Sequence, residues 1–201
     1  MTVFGLEVPL WVFDWSGSLL VVASLVFLFS KNPLYWHLSN ASLAPYFVLF
    51  VVGGQSILAG LQVSYLVFGL HGMYLWFLER RRDREGARFH EPFWYNLGWA
   101  LSLGIFAYTV GVTSFADPWN AVQFVAVSLA LVANWATTRK WTWSWYVWLA
   151  VNTVSALYFA HLGLWAQFGL QFVLFAMSLY GLAQWRRDDA RQGVRASVRA
   201  V

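Results

Sequence analysis

The chain has no cysteine, which excludes a disulfide framework, a thiolate nucleophile and any cysteine-based metal site. Charge is scarce as well: only 11% of its 201 residues are Asp, Glu, Lys or Arg, against about a quarter in soluble domains. With 60% hydrophobic residues and a mean hydropathy of +0.55, the chain lacks the polar surface to cover itself in water. The N-terminus has no basic region of the kind that opens a signal peptide; it carries Glu7 and Asp14 instead. No G-x-S-x-G, H-E-x-x-H, glycine-rich phosphate loop or buried carboxylate pair is present, so no catalytic residue, metal or cofactor is expected.

What is there is apolar and long. Seven runs can cross a bilayer as helices, at about 12–30, 34–53, 56–78, 93–114, 119–137, 142–161 and 164–185. The expected architecture is therefore an all-α membrane protein with seven transmembrane helices. The basic residues set its orientation. Lys31, Arg80–Arg82, Arg84, Arg88, Arg139, Lys140, Arg186, Arg187, Arg191, Arg195 and Arg199 all fall on one face if there are seven spans. The other face has Glu7, Asp14 and Asp117. This predicts the N-terminus outside and the C-terminus inside. It also accounts for a pI near 9.6 without nucleic acid as a partner.

The two halves are alike. Trp36–Phe47 aligned with Trp148–Phe159 agrees at five of twelve positions, including Trp36/Trp148 and Asn40/Asn152. After a three-residue gap, Gly60–Trp76 against Gly169–Trp185 agrees at six of seventeen, including Gln62/Gln171, Gly72/Gly181 and Trp76/Trp185. Apolar composition matches Leu and Phe by chance, but not Trp, Asn, Gln and Gly in order, so the pattern reads as an internal duplication. The expected units are residues 1–79 and 116–186, each of three helices. A loop and lone linker helix (80–115) join them, and a solvated tail (187–201) follows. An odd unit plus one linker helix gives a 3+1+3 plan of parallel repeats, with a solute site at the repeat interface.

The stretch "TRKWTWSWYVWLAVNTVSALYFAHLGLWAQ", with "SLYGLAQWRR" after it, resembles the C-terminal half of PnuC transporters. "GMYLWFLERRR" resembles the end of that family's third helix. The resemblance covers nearly the whole chain. It implies a SWEET-like fold in a bacterial inner (cytoplasmic) membrane, and homotrimers as one form of assembly. It also implies import of a nicotinamide riboside-like vitamin precursor by facilitated diffusion, with intracellular phosphorylation trapping the product. Related branches carry thiamine, riboflavin or deoxynucleosides. A non-transporting membrane scaffold or enzyme is the alternative from another class.

Polar side chains inside the spans need partners in the bundle or a wet cavity. Trp148, Asn152 and Ser155 share one helical face; Gln167, Gln171 and Ser178 share another; Gln62, Gly69 and Trp76 form a third stripe. Rings and amides together suit a flat heteroaromatic carrying an amide and ribose hydroxyls. The candidate binding residues are Asn40, Gln62, Asn134, Trp148, Asn152, Gln167 and Gln171. The alternative for each is interhelical hydrogen bonding. Trp94, Trp119, Trp141 and Trp143 read as interfacial belts, Pro118 as a helix start, and Pro45 as a kink. No Asp, Glu, Lys or Arg lies clear of the span ends, which argues against ion coupling.

Overall fold

The computed structural model describes residues 2–3, 6–7, 9–85, 107 and 117–199. The described helices are α1 (Leu10–Phe29), α2 (Leu34–Val52), α3 (Ser56–Glu85), α4 (Pro118–Thr138), α5 (Ser144–His161) and α6 (Trp165–Arg199). They carry the first three and last three predicted spans. The fourth predicted span, with Trp94 and Arg88, lies outside the described residues. A small antiparallel hairpin of β1 (Thr2–Val3) and β2 (Leu6–Glu7) precedes α1, a departure from the purely helical expectation. The helix α6 also runs unbroken past residue 186, so the predicted tail is helical to Arg199.

Among the described residues, four helices are long and apolar enough to cross a membrane: Leu10–Phe29, Ser56–Arg81, Pro118–Thr138 and Trp165–Arg191. Their outward side chains are large and apolar. Trp11, Trp15, Leu19 and Val26 on α1, and Phe172, Val173, Leu179 and Tyr180 on α6, are exposed. A contiguous apolar exterior of this kind needs lipid rather than water against it.

Local chemistry sets the helix ends. Asp117 caps α4, its carboxylate accepting from the Trp119 amide at 3.0 Å, and Pro118 occupies the first turn as its sequence position predicts. α1 and α4 both stop at a lysine in the left-handed region, Lys31 (φ 51) and Lys140 (φ 55). The turns after α2 and α5 both use a left-handed glycine, Gly54 (φ 70) and Gly163 (φ 68), where a glycine adopts the conformation without steric cost. Pro45 lies inside α2; it cannot donate to the Ala41 carbonyl one turn back. Pro45→Ala should restore that bond, raise thermal stability slightly and slow uptake. An unchanged uptake rate would remove any hinge role from this proline.

Each helix packs on its neighbour in the chain, α3 packs on α4, and α6 returns to α1, so the six form a closed ring. Both closing contacts join helices running the same way. At one end the Trp76 indole donates to the Thr138 carbonyl at 3.0 Å, and the Trp185 indole to the Phe29 carbonyl at 3.2 Å. At the other end the Tyr158 hydroxyl donates to Gln55 at 2.8 Å, and Gln167 donates to Asp14.

These features recur at one constant interval along the chain: Lys31 and Lys140, Gly54 and Gly163, Gly72 and Gly181, Trp76 and Trp185, Phe29 and Thr138. The same interval pairs Trp36 with Trp145. Trp36 crosses Trp76 edge-on (5.5 Å, 80°), and Trp145 crosses Trp185 in the same way (5.3 Å, 84°). All four indoles are buried. The expected pairing of Trp36 with Trp148 is thus corrected: Trp145 takes the equivalent position, packed on Gly181 as Trp36 is on Gly72. A tryptophan one turn further on, followed by an asparagine at matching spacing, drew the alignment out of register.

The lysines tie the two halves together at this tryptophan end. Lys31 lies 4.7 Å from the centre of the Trp185 ring and 3.9 Å from Asp189, both on α6. Lys140 lies 4.8 Å from the Trp76 ring and pairs with Glu79, both on α3. Each half thus supplies a cation that sits on an indole of the other.

Candidate functional site

The ring encloses a cavity of about 190 Å³, lined by residues from all six helices. That is on the order of six water volumes at the liquid density, a space for a small solute. Six of the seven predicted site residues line it: Gln62, Asn134, Trp148, Asn152, Gln167 and Gln171. Asn40 does not. Its carboxamide lies against Gly69 of α3, and its Oδ1 is buried without a hydrogen-bond partner. The two asparagines still meet equivalent places on their third helices. Ser178 stands where the other half has Gly69, and Asn152 donates to its hydroxyl at 3.2 Å. Glycine offers no such hydroxyl, so the first half lacks this contact.

Each polar wall residue is held differently. Trp148 is pinned by its indole N–H, which donates to Thr137 Oγ1 at 3.1 Å. Ser178 passes its own proton to the Leu174 carbonyl at 2.8 Å, so it is oriented to accept from Asn152. Gln62 donates to the Leu58 carbonyl at 3.3 Å. Asn134 is buried with Oδ1 unpartnered. An orphaned acceptor costs free energy unless something fills it, so this atom is suited to receive a donor from a solute. The rest of the wall is largely apolar, with Val21, Leu43, Phe50, Val127, Leu170 and Leu174 among its side chains. An apolar slot with a few fixed polar atoms is the usual make-up of a small-molecule site.

The structure also brings in residues that the sequence did not single out. Tyr35, Tyr46 and Tyr65 line the cavity. Asp14, expected outside the membrane with Glu7, is instead the fifth residue of α1 and accepts a hydrogen bond from Gln167. Ser18, one turn on, is 2.9 Å from the Tyr46 hydroxyl. The tyrosines carried no polar-in-apolar signal, and Asp14 was too close to the chain start to separate from a surface loop. A second, more polar hollow of about 330 Å³ lies at the Gly54 end, bounded by Gln55, Asp117, Gln123, Tyr158 and a Trp119–His161 stack at 4.0 Å. His161 is thus a surface residue on a tryptophan.

A family model described as nicotinamide mononucleotide transporter matches residues 11–187, nearly the whole chain and every helix that lines the cavity. The chain belongs to this transporter family. It is the PnuC family that its motifs resemble. Neither curated proteins nor solved structures gave a match. The transporter is a multi-pass membrane protein. Its central cavity lies between the two halves that share one spacing.

Proposed function

We propose that the protein imports a nicotinamide riboside-like vitamin precursor by facilitated diffusion, through the central cavity. The observation that carries this is the cavity itself: carboxamides from four helices and the Trp148 indole converge on a space of solute size. A carboxamide-bearing aromatic ring can stack on an indole while its amide meets Asn134 and Asn152 and its ribose hydroxyls meet the glutamines. In this reading the protein has seven spans in a 3+1+3 plan, N-terminus out. Supporting this, α3 and α4 run the same way, as α1 and α6 do, which is the arrangement two parallel three-helix units would have. The lysines and Arg186 sit together at the end that this orientation makes cytoplasmic.

The experiment is binding and thermal stabilisation of the purified protein with nicotinamide riboside, thiamine, riboflavin and deoxynucleosides. A ligand at 100 times its Kd stabilises by about 2.7 kcal/mol, so nicotinamide riboside should raise Tm by several degrees. Asn152→Ala should weaken its binding about tenfold, equivalent to one lost hydrogen bond, while Ser178 keeps the helix contact open to water. If no member of the panel shifts Tm, the transport reading fails. Should Asn152→Ala bind as well as the wild type, the asparagine is only a helix-to-helix link.

A further inference from the structure

We propose that Asp14 makes the cavity prefer solutes that carry a positive charge, by holding a carboxylate directly behind Gln167 at the α1–α6 wall. This rests on the transport reading above but not on nicotinamide riboside being the solute.

Gln167 is buried (3% exposed) and lines the cavity, and its side-chain amide donates to the Asp14 carboxylate. Ser18 and Tyr46 complete a polar cluster joining α1, α2 and α6, and Tyr46 is itself a cavity residue. Lys31 pairs with Asp189 and Lys140 with Glu79, both at the tryptophan end. Asp14 lies at the other end of α1, and among the described residues no Lys or Arg is paired with it. A carboxylate within an apolar helix is costly without a counter-charge and is retained where it serves a site.

The opposite wall sharpens the point. At the interval that relates the two halves, Asp14 corresponds to Gln123, Ser18 to Val127, Tyr46 to Ser155 and Gln167 to Leu58. Val127 and Leu58 line the cavity as apolar surface. A cavity between two like halves would offer a solute two equivalent orientations; Asp14 breaks that equivalence. The negative end of the cavity lies at α1 and α6, and a cationic ring orients towards it.

The test uses two pairs of probes on the full-length protein: nicotinamide riboside with its uncharged dihydro form, and thiamine with riboflavin. Asp14→Asn keeps an oxygen to accept from Gln167 and removes only the charge; Asp14→Glu keeps the charge. The Kd ratio of neutral to cationic solute is expected to favour the cation in the wild type. It should fall roughly 10- to 30-fold in Asp14→Asn, the size of one charge several ångströms away at an effective dielectric of about 20, and recover in Asp14→Glu. An equal loss for both members of a pair would make Asp14 a purely structural hydrogen-bond acceptor and overturn the proposal. So would an unchanged ratio, or a wild type that binds only the neutral solutes. Binding of thiamine but not nicotinamide riboside would overturn the substrate named above, while a falling thiamine ratio would still uphold Asp14.

Discussion

Ala126→Trp should reduce uptake by roughly 100-fold or more, to the level of a blocked pathway, without unfolding the protein. Ala126 is buried on α4 and lines the central cavity. An indole grafted there projects into the cavity of about 190 Å³ that is proposed to hold the solute. Its neighbours Val127, Ala130 and Leu58 are apolar or small, so the ring gains contacts instead of burying an unmatched polar group. Filling a cavity commonly adds about 0.5–2 kcal/mol of stability at the expense of function. The expected pattern is therefore a Tm equal to or above wild type in detergent, with no solute-dependent Tm shift and no uptake by proteoliposomes. Normal uptake in this variant would mean that solute passes elsewhere.

Gly72→Val and Gly181→Val should each prevent folding or lower Tm severely. A Cβ at Gly72 would sit 2.3 Å from the Trp36 ring, and one at Gly181 would sit 2.5 Å from the Trp145 ring. Neither ring can retreat, since each is buried and crossed edge-on by a second buried tryptophan. Overpacking a tight core by one or two methyl groups costs about 1–3 kcal/mol and sometimes more. The valine variants, with three added carbons against a rigid indole, belong at the upper end or beyond. Circular dichroism and thermal melting of Gly72→Ala, Gly181→Ala and the valine variants would grade the effect. Trp36→Phe combined with Gly72→Ala should recover part of the loss, because a smaller ring leaves the Cβ room. Wild-type stability in Gly72→Val would mean that the indole is not seated on the glycine.

The helices were legible in the sequence because membrane-length apolar runs are the strongest signal a chain carries. Six of the seven predicted spans fall within described helices whose starts agree within a few residues, while α3 and α6 continue well past the predicted ends, to Glu85 and Arg199. Repeat register was harder: Trp36 matches Trp145 by contact but Trp148 by sequence neighbours, and only the glycine beneath each ring distinguishes them. Six of the seven candidate site residues converge, five of them because an amide in an apolar helix has few stable places other than a polar interior. Asn40 misses the cavity although its spacing to Trp36 copies that of Asn152 to Trp148, since helical spacing gives a face but not the depth of a side chain. Asp14 was missed for a complementary reason: a charge near the end of an apolar run looks solvated until its partner, distant in the chain, is seen.

The reciprocal lysines have a consequence for turnover. Lys31 reaches from the first half to α6, and Lys140 from the second half to α3, so the two seams of the ring are fastened at the same end by separate clasps. Parting the halves there requires both to yield, and their free energies add in the barrier to that motion. Neither clasp touches the cavity wall at Asn152 or Gln171. With the transport proposed above, changes at Glu79 or Asp189 are expected to alter how often the passage turns over while leaving the choice of cargo untouched, which would make throughput and selectivity separately adjustable traits of one small protein.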